Sequence, residues 1–264
     1  MNRDDYRAAL DRIELSEGFR QDTIQKLTRA AGQQTKKETV FMKPRRTFKT
    51  GLLAAALAVA LIVSAAAAVY LLTPKDVAAH NDDPVLADAF AGGGAILSNQ
   101  TAESEGYTFT LGGLVSGAGI SKYAQDVDAA RTYAVVSVAR TDGTPLENLD
   151  APFHLSPLVA GFQPHMVNAW TLGGGYTSFL SGGVAYYLFD CESLEIFADH
   201  TVYLAVGQEL SAGSDTFAMA EDGAISFVEG YEGPHALFTL PLDASKADSA
   251  AVDQFLKDTG LMPW

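Results

Sequence analysis

RTYAVVSVA at residues 131–139 and VAYYLF at residues 184–189 are the stretches on which the fold turns. Both are short, rich in β-branched and aromatic residues, and bounded by turn formers, which is how a strand reads. The same texture recurs outward from them, at GYTFTL (106–111), YTSFL (176–180), TVYLAV (201–206), AISFV (224–228) and HALFTL (235–240). Asp142-Gly143 follows the 131–139 run, and Glu221-Asp222-Gly223 separates TFAMA from AISFV as a hairpin turn should. Successive strands without long helical crossovers pair antiparallel, so the spacing predicts a mainly β (or α+β), sandwich-like domain. A helix is expected at Ser249–Asp258, with Val252, Phe255 and Leu256 on one face and Gly260 beyond its end. SLEIFA at 193–198 reads as a short second one. The folded domain is expected over 95–264, after a polar stalk over 73–94 in which Val85–Phe90 makes a turn or two of helix.

Upstream the chain changes character. Gly51 to Leu72, GLLAAALAVALIVSAAAAVYLL, is 22 residues without a charge. As a helix it would span roughly 33 Å, enough for a hydrocarbon core of about 30 Å, and it is longer than the apolar core of a signal peptide. The flanks give its orientation. Residues 1–50 hold 12 Lys+Arg against 7 Asp+Glu, whereas residues 73–264 hold 6 against 25. The basic side stays in the cytoplasm, so a single-pass protein with its C-terminal domain outside the cell membrane is expected, with the lipid bilayer as partner of residues 51–72. A domain of net charge −19 repels phosphate backbones, so nucleic acid is not expected as a partner.

Residues 4–14 place Tyr6, Leu10 and Ile13 at helical spacing, and residues 17–31 repeat the pattern with Phe19, Ile24 and Leu27. A cytoplasmic pair of short amphipathic helices over 1–32 buries too little apolar surface to stand alone. Those six side chains are therefore expected to form a partner-binding face. Residues 33–50, with Pro44, read as a basic linker.

Motifs for chemistry are missing. There is no G-x-S-x-G elbow, and the five histidines lie 11 or more residues apart with no H-E-x-x-H. The glycine clusters at 92–94, 112–113 and 173–175 lack the Lys-Ser/Thr ending of a phosphate loop and read as turns and bulges. Cys191 is the single cysteine, between Asp190 and Glu192, which disfavour its thiolate; a buried core residue is expected. No cofactor, metal or catalytic residue is expected, and nothing names an outer ligand.

Asp5-Tyr6-Arg7-x-Ala9-Leu10-x-x-Ile13 followed by Ser16-x-x-Phe19, the basic linker, the single span and the acidic strand-rich domain together resemble bacterial anti-sigma-factor-like membrane proteins. YYLFDCESLEIFADHTVYLAV, from Tyr186 to Val206, is similar to a segment of their outer domains. The resemblance implies that residues 1–32 sequester a sigma factor while the outer domain senses a signal. Residues 1–50 contain neither His nor Cys, which departs from the zinc-organised members of that group. The alternative is a membrane-tethered extracytoplasmic binding or adhesion module whose first fifty residues have no regulatory role.

Overall fold

The structure, a computed structural model, describes residues 71–123 and 128–260. There the chain is mainly β, and every strand pairing is antiparallel. One sheet has five strands in the order β1 (Ile96–Ser104), β2 (Tyr107–Ala118), β3 (Ala130–Arg140), β6 (Val184–Glu192) and β5 (Gly175–Ser181). A second has three, β10 (His235–Thr239), β7 (Val202–Gly207) and β4 (His154–Val159). β8 (Phe217–Met219) and β9 (Ile225–Phe227) form a separate hairpin.

Side-chain alternation along β6 explains the arrangement. Ala185, Tyr187, Phe189 and Cys191 enter a core shared with Leu155 of β4, Leu204 and Val206 of β7 and Phe238 of β10. Val184, Tyr186 and Leu188 enter a second core on the other face. A strand buried on both faces carries an unbroken apolar run, which is why VAYYLF is so legible. Beyond the smaller sheet, Leu158 and Ala205 pack with Phe217 and Ile225 of the hairpin. The terminal helix α3 (Ser249–Thr259) contributes Val252, Phe255 and Leu256 to the shared core. Gly260 ends it in the left-handed conformation, φ 68°.

All seven expected runs fall on strands, but β1 and β4 were not expected, and SLEIFA is a single 3-10 turn, Leu194–Phe197. The stretch 73–94 differs most from expectation. Instead of a polar stalk it holds two helices, α1 (Pro74–His80) and α2 (Pro84–Ala91). Val77, Ala78, Leu86 and Phe90 of these helices cover the second core. The large apolar residues here are few and the helices short, yet both starts are strongly signalled. Thr73 and Asp76 form a reciprocal capping box, Asp83 caps α2, and each helix has Pro in its first turn. Gly112-Gly113 is the bulge expected of it, since the β2–β3 register shifts between Leu111 and Gly113. A Cβ on Gly113 would lie 2.9 Å from the Ile96 carbonyl oxygen and 3.3 Å from the Pro74 ring, so helix α1 approaches the sheet only because none is there.

The folded domain therefore already includes Leu71, well ahead of Ala95. Leu71 and Leu72 are not helical; both pack against the second core, and the Leu72 N–H donates to the Tyr186 hydroxyl at 3.1 Å. The remainder of the expected span, residues 51–70, lies outside the described residues, as do the helix pair over 1–32 and the linker over 33–50. Among the described residues no helix is long and apolar enough to cross a membrane.

Candidate functional site

The two sheets are joined along one side and separated along the other. On the joined side β1 meets β10, with the Gln100 amide donating to the Thr239 carbonyl at 2.8 Å. On the other side lie the outer strands of the two sheets, β4 and β5, and residues 160–174 connect them through the gap. A cleft of about 360 Å³ opens there, between β4, the start of β5, the turn at 168–170 and the segment leading into β8.

Asn168 builds the turn. It is buried, and its Nδ2 donates to the Pro164 carbonyl at 2.8 Å. Its Oδ1 accepts from the backbone N–H of Trp170 at 2.9 Å and of Thr171 at 3.2 Å. An Asn side chain that replaces a backbone turn in this way fixes the residues just after it. Three further bonds hold the turn to its surroundings. Ala169 N–H donates to Ser156 Oγ of β4 at 3.0 Å, Gly174 N–H to the Ala169 carbonyl at 2.6 Å, and Glu192 N–H to the Leu172 carbonyl at 3.0 Å. Leu172 is fully buried in the shared core. The Arg131 guanidinium, paired with Asp190 at 2.6 Å, also donates to the Gly173 carbonyl at 3.2 Å. Trp170, the residue this scaffold presents, is 91% exposed.

Tyr176 and His154 also line the cleft, with the phenol oxygen 3.4 Å from His154 Nδ1 and the rings edge-on at 6.1 Å. Burial raises the Tyr176 pKa, so the phenol is neutral at physiological pH and keeps its proton to donate. Ser211 adds a hydroxyl at the rim, already donating to Asp215 at 2.7 Å. Gly174 forms part of the floor, where a Cβ would meet the Ala169 carbonyl oxygen at 3.0 Å and the Phe189 ring at 3.2 Å. The cleft is lined by no Asp, Glu, Lys or Arg. An acidic domain has here an uncharged recess with an aromatic face and several hydrogen-bonding groups, which suits binding of a small polar molecule.

Two other recesses differ in chemistry. A wider one of about 880 Å³ lies under the loop after β3 and includes Arg140, Asp142, Glu147 and Asp150. There the Arg140 guanidinium sits 4.4 Å from the Tyr107 ring centre. A groove of about 380 Å³ between α1, α2 and the sheet includes Leu71, Phe90, Val135 and Leu97. Among the described residues no three His, Cys, Asp or Glu side chains converge as a cation site. Cys191 is fully buried, and burial pushes its thiol pKa up.

The residues expected to form a partner face, Tyr6, Leu10, Ile13, Phe19, Ile24 and Leu27, lie outside the described residues. Sequence reasoning did not single out Trp170, Tyr176 or Asn168, and it found no motif spacing that marked His154 among the five histidines. The one available signal was the NAWTLGGG stretch at 168–175, an aromatic residue set between a turn-forming Asn and a glycine cluster. Compared with protein-family models, curated proteins and solved structures, the chain matches none.

Proposed function

We propose that the protein is a single-pass membrane signalling protein of the anti-sigma-factor-like kind. Its N-terminal helices hold a cytoplasmic partner, a sigma factor, and its sandwich-like outer domain receives an external signal. The observation that carries this reading is that the apolar run of residues 51–72 ends inside the folded domain. Leu71 and Leu72 are already packed into the domain, and Thr73 begins the cap of the first helix. A spacer at this point would let the outer domain turn independently of its anchor; the direct join suits transmission of a change in the domain along the chain. The charge contrast between residues 1–50 and 73–264 supports the orientation.

The test is a crosslinked pull-down from native membranes with the full chain as bait. A sigma factor should be recovered and should be lost from the Leu10→Asp, Leu27→Asp variant, with membrane insertion unchanged. Capture that survives both substitutions would overturn the partner face. The uncharged cleft at Trp170 favours a second reading, a membrane-tethered binding module with no regulatory role inside. A phenotype that persists when residues 1–32 are deleted would decide for it.

A further inference from the structure

We infer that the cleft between β4 and β5 is a binding site for a neutral saccharide, with Trp170 as its stacking platform. The inference deepens the ligand-receiving role proposed above for the outer domain and rests on it.

Three observations converge. The first is Trp170 itself. An indole is a large apolar surface that folded chains ordinarily cover, and this one is 91% exposed. It stands on a turn held by the buried Asn168 side chain and tied to β4 through Ser156, so its position does not depend on packing of the ring. An uncovered aromatic face carried on a fixed backbone is what a pyranose needs. The C–H bonds on one side of a sugar ring are weakly positive and lie against the negative face of an aromatic quadrupole.

The second observation is charge. The outer part of the chain carries 25 Asp+Glu, yet none lines this cleft, and neither does any Lys or Arg. A carboxylated or phosphorylated ligand would find no cation among the lining residues, and Asp215, the carboxylate next to Ser211, is already engaged by that hydroxyl at 2.7 Å. The wider recess beside Arg140, with charges of both signs, shows that the domain does not avoid charge in its other hollows. The third observation is the placement of polar groups. His154 and the Tyr176 hydroxyl, 3.4 Å apart, line the cleft where they can meet ring hydroxyls, with Ser211 at the rim. A volume of about 360 Å³ suits one or two sugar rings.

The experiment uses the full chain in lipid nanodiscs, so that no sugar-headed detergent competes. The chain has two tryptophans, Trp170 and Trp264; Trp264→Phe leaves Trp170 as the sole indole emitter. Titration with cellotriose or triacetylchitotriose should quench or blue-shift that emission to saturation below about 10 mM, the weak end of specific binding. Calorimetry should find binding weakened by about tenfold or more in Trp170→Ala and several-fold in Tyr176→Phe, with unchanged melting in both. A glucuronate-containing trisaccharide should bind more weakly than its neutral counterpart. Two results would overturn the assignment: no response to either neutral trisaccharide, or a saturable response to a proline-rich decapeptide that the sugars fail to compete with. Sigma-factor capture is measured separately, so failure of the saccharide titration with capture intact overturns only the ligand class. Loss of capture with titration intact overturns only the signalling reading.

Discussion

At the scale of single residues, Cys191 shows how burial sets chemistry. It is fully buried in β6, and burial pushes its thiol pKa upward. Below roughly pH 8.5 the thiol is neutral in both the folded and the unfolded chain and adds no pH dependence. Above that, the unfolded chain releases the proton and the folded one retains it. The folded state then binds more protons, and stability falls as pH rises, by up to about 1.4 kcal/mol per unit. Denaturant unfolding over roughly pH 8–10 should therefore slope downward more steeply in the parent than in Cys191→Ala, and native protein should resist thiol labelling until it is unfolded. The burial of this residue was legible in the sequence, because a free cysteine is usually a core residue and this one closes an apolar run. Trp170 was not legible, since exposure of an aromatic residue is a property of what fails to cover it, and no local pattern encodes that.

Among the elements, β6 and β3 were readable from composition because both of their faces meet apolar cores. β4 was not, for Pro157 breaks the texture of HLSPLV and belongs to an outer strand, where its missing N–H does no harm. β1 was missed because ILSNQTAES is polar along most of its length. The paired helices were hidden for a different reason: their caps are explicit, but their buried faces amount to a few residues each. Asp83 is the joint between them and the sheet. It is buried and accepts hydrogen bonds from Leu86 N–H at 3.0 Å, Ser121 Oγ, and Lys122 N–H at 3.3 Å. Asp83→Ala removes a cap and leaves buried donors without a partner. Melting or denaturant titration should show a loss of about 2 kcal/mol or more, and Asp83→Asn should recover part of it.

At the largest scale described, the order of layers is helices α1 and α2, the five-stranded sheet, the three-stranded sheet, and the β8–β9 hairpin. The first layer is joined to the second at the point where the apolar run ends, through the Leu72 N–H and the Tyr186 hydroxyl. Tyr186→Phe removes that acceptor while keeping the ring stacked on Phe179 at 5.3 Å. The Leu72 amide should then exchange hydrogen faster, while amides in β3 and β7 keep their protection, as read by site-resolved exchange. Uniform acceleration across the domain would instead mean that the bond supports the fold as a whole.

That same bond joins residues 114 positions apart. Closing a loop of such length costs about 4 kcal/mol in chain entropy before any contact is gained. Within the domain the helical layer is made before the strands it covers, and its seat is complete only when Val184, Tyr186 and Leu188 of β6 join Val115, Tyr133 and Val135 of β2 and β3. Until then Val115, Tyr133 and Val135 present a partly covered apolar face on a nascent sheet. Newly made protein is thus most exposed to mispairing on that face, and the arrival of VAYYLF ends the danger.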